Sequence, residues 1–179
     1  MNKNFEFAFK ETLGYEGGYS DDPNDKGGKT KFGVTEVELK RSYNEGIVDH
    51  CNVKELTLDD AKVIYKDHYW DKISGSKINN KYIAAELFDT SVNMGPRQAI
   101  KIVQRALEYL GENLQIDGII GPITIGLINK WCIKDPKTLY IILNCEQYMI
   151  YKIIIEADPS QRTFARGWIK RIQQWLPSI

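Results

Sequence analysis

Cysteine is scarce here and odd in number: three in 179 residues. Cys51, Cys132 and Cys145 have neither metal-ligand nor redox spacing, so neither a disulfide framework nor a zinc site organises the chain. They read as buried small hydrophobes in a protein made in a reducing compartment. Net charge is also missing, since 24 Lys and Arg balance 24 Asp and Glu. No overall field therefore favours nucleic acid or an anionic membrane. No apolar run approaches the roughly 20 residues of a membrane span, and the N-terminus MNKNFEFAFKETLGYEGG lacks the apolar core of a secretory leader. The two histidines, His50 and His68, are too isolated for a metal site, and His68 is expected on an exposed helix face. No cofactor is called for.

What is present is an ordinary globular composition, 42% hydrophobic and 27% charged, in a chain long enough to bury a core without staples. Apolar residues Phe5, Ala8, Phe9 and Leu13 recur at helical spacing up to Tyr15. Thr35 and Thr57 are candidate N-caps for helices over Glu36 to Tyr43 and from Leu58 through Tyr69. A further helix spans Tyr82 to Met94, where Gly95-Pro96 breaks it and another begins, ending near Gly111. Gly121-Pro122 opens a helix to about Trp131, and two longer ones follow, Pro136 to Ala157 and Pro159 to about Trp175. Any β structure is confined to residues 17–33. The fold is expected to be mainly α. No repeat, linker or low-complexity tract appears, so one domain is expected over 1–179, with lobes at 1–95 and 96–179.

Between Gly14 and Gly33 the chain holds six glycines, Pro23 and four Asp or Asn residues. Glu16 closes the first helix, Asp25 follows nine residues later, and Thr30 five beyond that. Glycosidic cleavage needs such a set: an acid that protonates the departing oxygen, and a carboxylate that activates water or stabilises the cationic centre. A carboxyl at the negative end of a helix, shielded by Tyr15 and Tyr19, resists ionisation and keeps its proton nearer neutral pH. Glycines let Asp25 fold back toward it. Two competing accounts remain. The segment is also a plain solvated turn, and Asp21, Asp22, Asn24 and Asp25 are clustered oxygen donors for Ca²⁺, although EF-hand spacing is absent.

The run EGGYSDDPNDKGGKTKFGVT closely resembles the signature of glycoside hydrolase family 108, the N-acetylmuramidases of phage endolysins and secretion activator proteins. Tyr65 to Asp71, Phe88 to Gly95, Ala99 to Leu107 and Asp117 to Thr124 are similar to later blocks of that family. The resemblance implies a lysozyme-like helical fold. The activity it implies is hydrolysis of the β-1,4 bond between N-acetylmuramic acid and N-acetylglucosamine. It gives Glu16 the general-acid role and suggests Asp25 and Thr30 as partners. Four residues separate Asp25 from Thr30, where the phage-type lysozyme pattern has five. Gln104 to Thr124 is similar to a peptidoglycan-binding motif of other wall hydrolases, though its Gly and Pro also serve as backbone devices. The alternative is a peptidoglycan-binding or secretion-activating protein that does not cut.

Tyr19, Tyr69, Trp70, Asp89 and Asn93 are the candidates for substrate contact, aromatics offering an apolar face to a sugar and Asn93 a hydrogen bond to an acetamido group. Core packing competes for Tyr69 and Phe88. Glu146 interrupts the stripe Leu139, Leu143, Ile150, Ile153 and is expected in a structural ion pair. Trp131, Trp168 and Trp175 read as packing aromatics. Arg162, Arg166, Lys170 and Arg171 read as a solvated basic face. The expected partner is the peptidoglycan glycan strand, met by a monomer that reaches the wall through holin-like or other release, without nucleic acid or stable membrane insertion.

Overall fold

Side-chain caps and prolines decide where the helices begin. In the computed structural model, which describes residues 2–14, 18–20 and 29–172, Asn2 caps α1 (Lys3–Leu13) by accepting from the Asn4 amide at 2.8 Å. Thr35 caps α2 (Glu36–Asn44), and Thr57 forms a reciprocal capping box with Asp60 at the start of α3 (Leu58–Tyr65). Asn80 caps α4 (Lys81–Met94). Prolines hold the first position of α5 (Pro96–Tyr109), α6 (Pro122–Lys134) and α7 (Pro136–Ala157), where the missing N–H has no partner to lose. A 3₁₀ turn, Pro159–Phe164, leads into α8 (Ala165–Arg171). No described helix is long and apolar enough to cross a membrane.

Helix α4 lies at the centre. Its Ile83, Ala84, Ala85, Leu87 and Phe88 are all buried, with α1 packed on one side and α5 and α7 on the other. One cluster of buried side chains runs from Phe5 to Leu143. At its α1 end the rings of Phe5, Trp70 and Phe88 meet edge to face, with centroids 5.5 to 5.9 Å apart.

The sheet is small. Strands β1 (Thr30–Lys31) and β2 (Val34–Thr35) pair antiparallel, so β structure extends two residues beyond the expected limit at Gly33. Phe32 and Gly33 both have positive φ, 51° and 75°, as a tight two-residue hairpin turn requires. Other differences follow from packing. Residues Lys66–Trp70 form a π turn that continues α3. The buried stripe of α7 is Leu139, Tyr140, Leu143, Asn144, Gln147 and Tyr151, which leaves Glu146 half-buried beside Arg105 and Gln98 without an ion pair among the described residues. Two polar amides, not a carboxylate, take the inward positions. Cys51 and Cys145 are exposed, contrary to the expectation that they are buried.

Gly33 is confined twice over. Its φ is positive, and a Cβ there would lie 2.7 Å from the Tyr65 hydroxyl. Gly33→Ala is expected to destabilise the protein by about 1–3 kcal/mol, read as a lowered midpoint in urea unfolding; an unchanged midpoint would show that the hairpin does not press on Tyr65.

Candidate functional site

Helix α1 stops at Gly14, whose φ of 69° and N–H bond to the Lys10 carbonyl turn the chain out of the helix. The chain re-enters at Gly18 to Ser20, and Ser20 bridges to Thr30 through two backbone bonds of 2.8 and 2.9 Å. Thr30 thus sits between Ser20 on one side and Thr35 on the other, half-buried at the mouth of the segment that carries Asp25. Glu16 and Asp25 themselves, and the proposed Ca²⁺ donors Asp21, Asp22 and Asn24, lie outside the described residues. What is described is the frame around them.

One wall of that frame is acidic and aromatic. The Tyr69 hydroxyl donates to Glu38 Oε1 on α2 at 2.8 Å, and burial, then the Glu38 charge, pushes its pKa up. His68 is buried, with Nδ1 3.3 Å from Glu38 and Nε2 3.0 Å from Glu45, which Arg41 also meets at 2.8 Å. The expectation of an exposed His68 is corrected: its ring joins two carboxylates of α2 to the π turn. Tyr19 is 36% exposed, with the Lys54 ammonium 5.5 Å over its ring, so one aromatic surface faces outward beside the hairpin.

Trp70 presents no such surface. It is 0% exposed, its Nε1 donates to Ser76 Oγ at 2.8 Å, and a Cβ on Gly75 would lie 2.6 Å from its ring. The ring is core, which corrects the expectation that it lines a groove; Tyr69, next in sequence, keeps its half-exposed place.

Beneath the end of α1 lies a buried polar cluster. Asp89 on α4 accepts from Arg171 Nη1 at 3.0 Å and from Asn93 Nδ2 at 3.2 Å. Thr12, in the last turn of α1, sits beside the same carboxylate but outside hydrogen-bond geometry. Burial raises the Asp89 pKa, with the Arg171 charge opposing it. Asn93 also donates to the Asp89 carbonyl at 2.7 Å, so its amide is committed within the helix. One turn earlier, Glu86 is fully enclosed by Tyr140, Asn144 and Thr90; burial first, then the neighbouring Asp89, pushes its pKa up to about 8. Gln147 donates to Thr90 and Tyr151, each at 3.3 Å, and Tyr151 stacks on Trp168 at 4.7 Å.

The structure therefore brings Asp89 and Asn93 together near the α1 end, and Tyr19 and Thr30 at the hairpin. Glu38, Glu86 and Arg171 were not singled out as site residues. The sequence does carry a signal for Glu86, which interrupts the apolar run Ile83 to Phe88, with Asp89 following one turn later. Arg171 carries none, because nothing local distinguishes it from Lys170.

Residues 9–95 match the family model for glycosyl hydrolase 108, and residues 98–173 match that of a predicted peptidoglycan domain. A glycosyl hydrolase 108 segment and a peptidoglycan-domain segment thus follow one another along the chain. Among solved structures it is similar to that of Brucella abortus SagA, at 27% identity and a TM-score of 0.73 over 97% of this chain and 92% of that one. None of the curated proteins compared shows a match. The fold is mainly α and lysozyme-like, and both family segments tie the protein to peptidoglycan. The glycosyl hydrolase 108 segment contains Glu16, Asp25, Thr30 and the Asp89 cluster; Arg171, which pairs with Asp89, comes from the peptidoglycan-domain segment.

Glu86 sets a pH dependence. Its folded pKa of about 8 stands above the ordinary value of 4.5, so the folded state holds a proton that the unfolded chain gives up first. Its contribution to stability is complete below about pH 4.5 and falls as pH rises toward 8. Glu86→Gln, which keeps the shape without the charge, is expected to flatten the decline between about pH 4.5 and 8. Thermal melts across that range check it, and parallel curves for the two proteins would refute it.

Proposed function

We propose that the protein is an N-acetylmuramidase, cleaving the β-1,4 bond between N-acetylmuramic acid and N-acetylglucosamine in peptidoglycan. The observation that carries this reading is the closed frame around the acidic loop. One residue separates Glu16 from Gly14 and one from Gly18, so covalent geometry keeps its Cα within roughly 7 Å of both. The Ser20–Thr30 bridge ties the far end of the loop to the same place. Glu16 follows the C-terminal end of α1 in sequence, and a helix C-terminus disfavours a negative charge placed near it.

In this mechanism Glu16 donates its proton to the glycosidic oxygen as the bond to the anomeric carbon breaks. Asp25 draws a proton from water attacking the opposite face, Thr30 orients that water, and the anomeric configuration inverts. Tyr19 and Tyr69 offer surface to the sugars. Asp89 and Asn93 lie beneath, committed to each other and to Arg171 rather than to substrate. The protein is delivered to the wall as a monomer, by holin-like or other release.

The test is clearing of purified peptidoglycan with the new reducing ends identified. Glu16→Gln is expected to lower the rate by about 10²–10⁴-fold, the usual worth of a general acid, while the protein still sediments with the wall. Equal clearing by both proteins would remove Glu16 from the mechanism. Wall binding by the wild type without new reducing ends would favour the non-cutting, secretion-activating reading.

A further inference from the structure

The last described elements carry charge of one sign. Residues 159–172 hold Arg162, Arg166, Lys170 and Arg171 and no acid, in a protein whose overall charge is balanced. Arg171 turns inward to Asp89. Arg162, Arg166 and Lys170 are exposed, and none of them meets a carboxylate among the described residues. The acids at the end of α7 are engaged elsewhere: Glu156 lies 3.7 Å from Lys152, and Asp158 accepts from Ser160 and Gln161.

A run of cations is ordinarily a solvated face, but here apolar side chains are set among them. Phe164 falls between Arg162 and Arg166, and Ile169 between Arg166 and Lys170; the two are 53% and 50% exposed. Phe164 stacks on Trp168 at 6.0 Å, and Trp168 on Tyr151 at 4.7 Å, so a column of three rings runs from the buried Tyr151 to the surface. Where α8 lies along α7 there are two clefts, of about 440 and 390 Å³, both bordered by Tyr148 and Ile169. Exposed Ile141 and Met149 line the first, and Arg162 and Lys152 line the second. Apolar side chains and unpaired cations therefore share one face.

Charge decides what such a face can meet. A second copy would bring the same cations together, and like charges across an interface oppose association. An anionic lipid surface answers both features, since apolar side chains enter the boundary between headgroups and acyl chains while Lys and Arg reach the phosphates. We propose that the α7–α8 face docks on an anionic phospholipid bilayer through Phe164 and Ile169, with Arg162, Arg166 and Lys170 at the headgroups. The helices lie on the bilayer and do not enter its core.

The experiment is cosedimentation of the full chain with vesicles of phosphatidylcholine alone and of phosphatidylcholine mixed with phosphatidylglycerol. Three cations at about fivefold each give an expected preference of about 100-fold for the anionic vesicles, and it weakens as salt is added. Replacing Arg162, Arg166 and Lys170 together by Gln is expected to abolish that preference, whereas Lys40→Gln, at an exposed position on α2, leaves binding nearly unchanged. Phe164→Ser and Ile169→Ser are each expected to weaken anionic binding about fivefold through lost apolar contact, with thermal melts showing that each variant folds. Equal binding to both vesicles, or none at millimolar lipid, would overturn the proposal. Salt-sensitive binding indifferent to both Ser variants would do so too, by revealing a patch for any polyanion. Self-association without vesicle binding would assign the face to a second copy instead. Clearing of peptidoglycan by the triple variant is expected at the wild-type rate, so docking on lipid is decided apart from the muramidase reading.

Discussion

Two carboxyl groups buried one turn apart on the same helix impose the main constraint on this fold. Glu86 and Asp89 cannot both be charged in so dry a place without large cost. The structure separates their states: Glu86 is pushed toward its neutral form by enclosure, and Asp89 is met by the Arg171 guanidinium. Each needs partners that α4 cannot supply. Tyr140 and Asn144 come from α7, Arg171 from α8, and Thr12 of α1 completes the surround. The arginine side of this pair is 38% exposed, so the pair adds little net stability, but loss of Arg171 would leave Asp89 an uncompensated buried charge. Such a pair therefore fixes which surfaces meet more than how strongly they hold.

The same economy governs the hairpin. Gly33 has no Cβ because the Tyr65 hydroxyl occupies that space, and Tyr65 packs edge-on against Phe9 at 5.7 Å. The turn of the acidic loop is thus pressed onto the aromatic end of the core, beside the last turn of α1. Glu38 reinforces it from the other side by receiving the Tyr69 hydroxyl. The described ends of the acidic segment are thus anchored to the core through Thr30, Gly33 and Tyr65.

Much of this was legible because local signals and tertiary packing agree. Thr35 and Thr57 cap where they were expected, and Pro96, Pro122 and Pro136 begin their helices, since a cap or a missing N–H acts within one turn. What failed to show were features set by distant partners. Helical spacing places Glu146 on an apolar stripe, yet the buried face of α7 is rotated toward Asn144, which meets Glu86, and Gln147, which meets Thr90. His68 reads as a surface residue until Glu38 and Glu45 flank it, and Trp70 reads as a sugar platform until Gly75 closes over its ring. Arg171 is one cation among four in its stretch, and only the fold selects it.

The boundary between the two family segments is consequently not a boundary in the packing. The match to glycosyl hydrolase 108 ends at Gly95, but the carboxylate at residue 89 is neutralised by an arginine from the segment that follows. Helix α7, also from that segment, encloses Glu86. A chain ending near residue 95 would leave both acids facing water or apolar side chains, beneath the last turn of α1. Helices α7 and α8 are therefore bound to the hydrolase segment by the charge they cover. Whatever else the second segment does, its last two helices complete the interior of the first by enclosing this acidic pair.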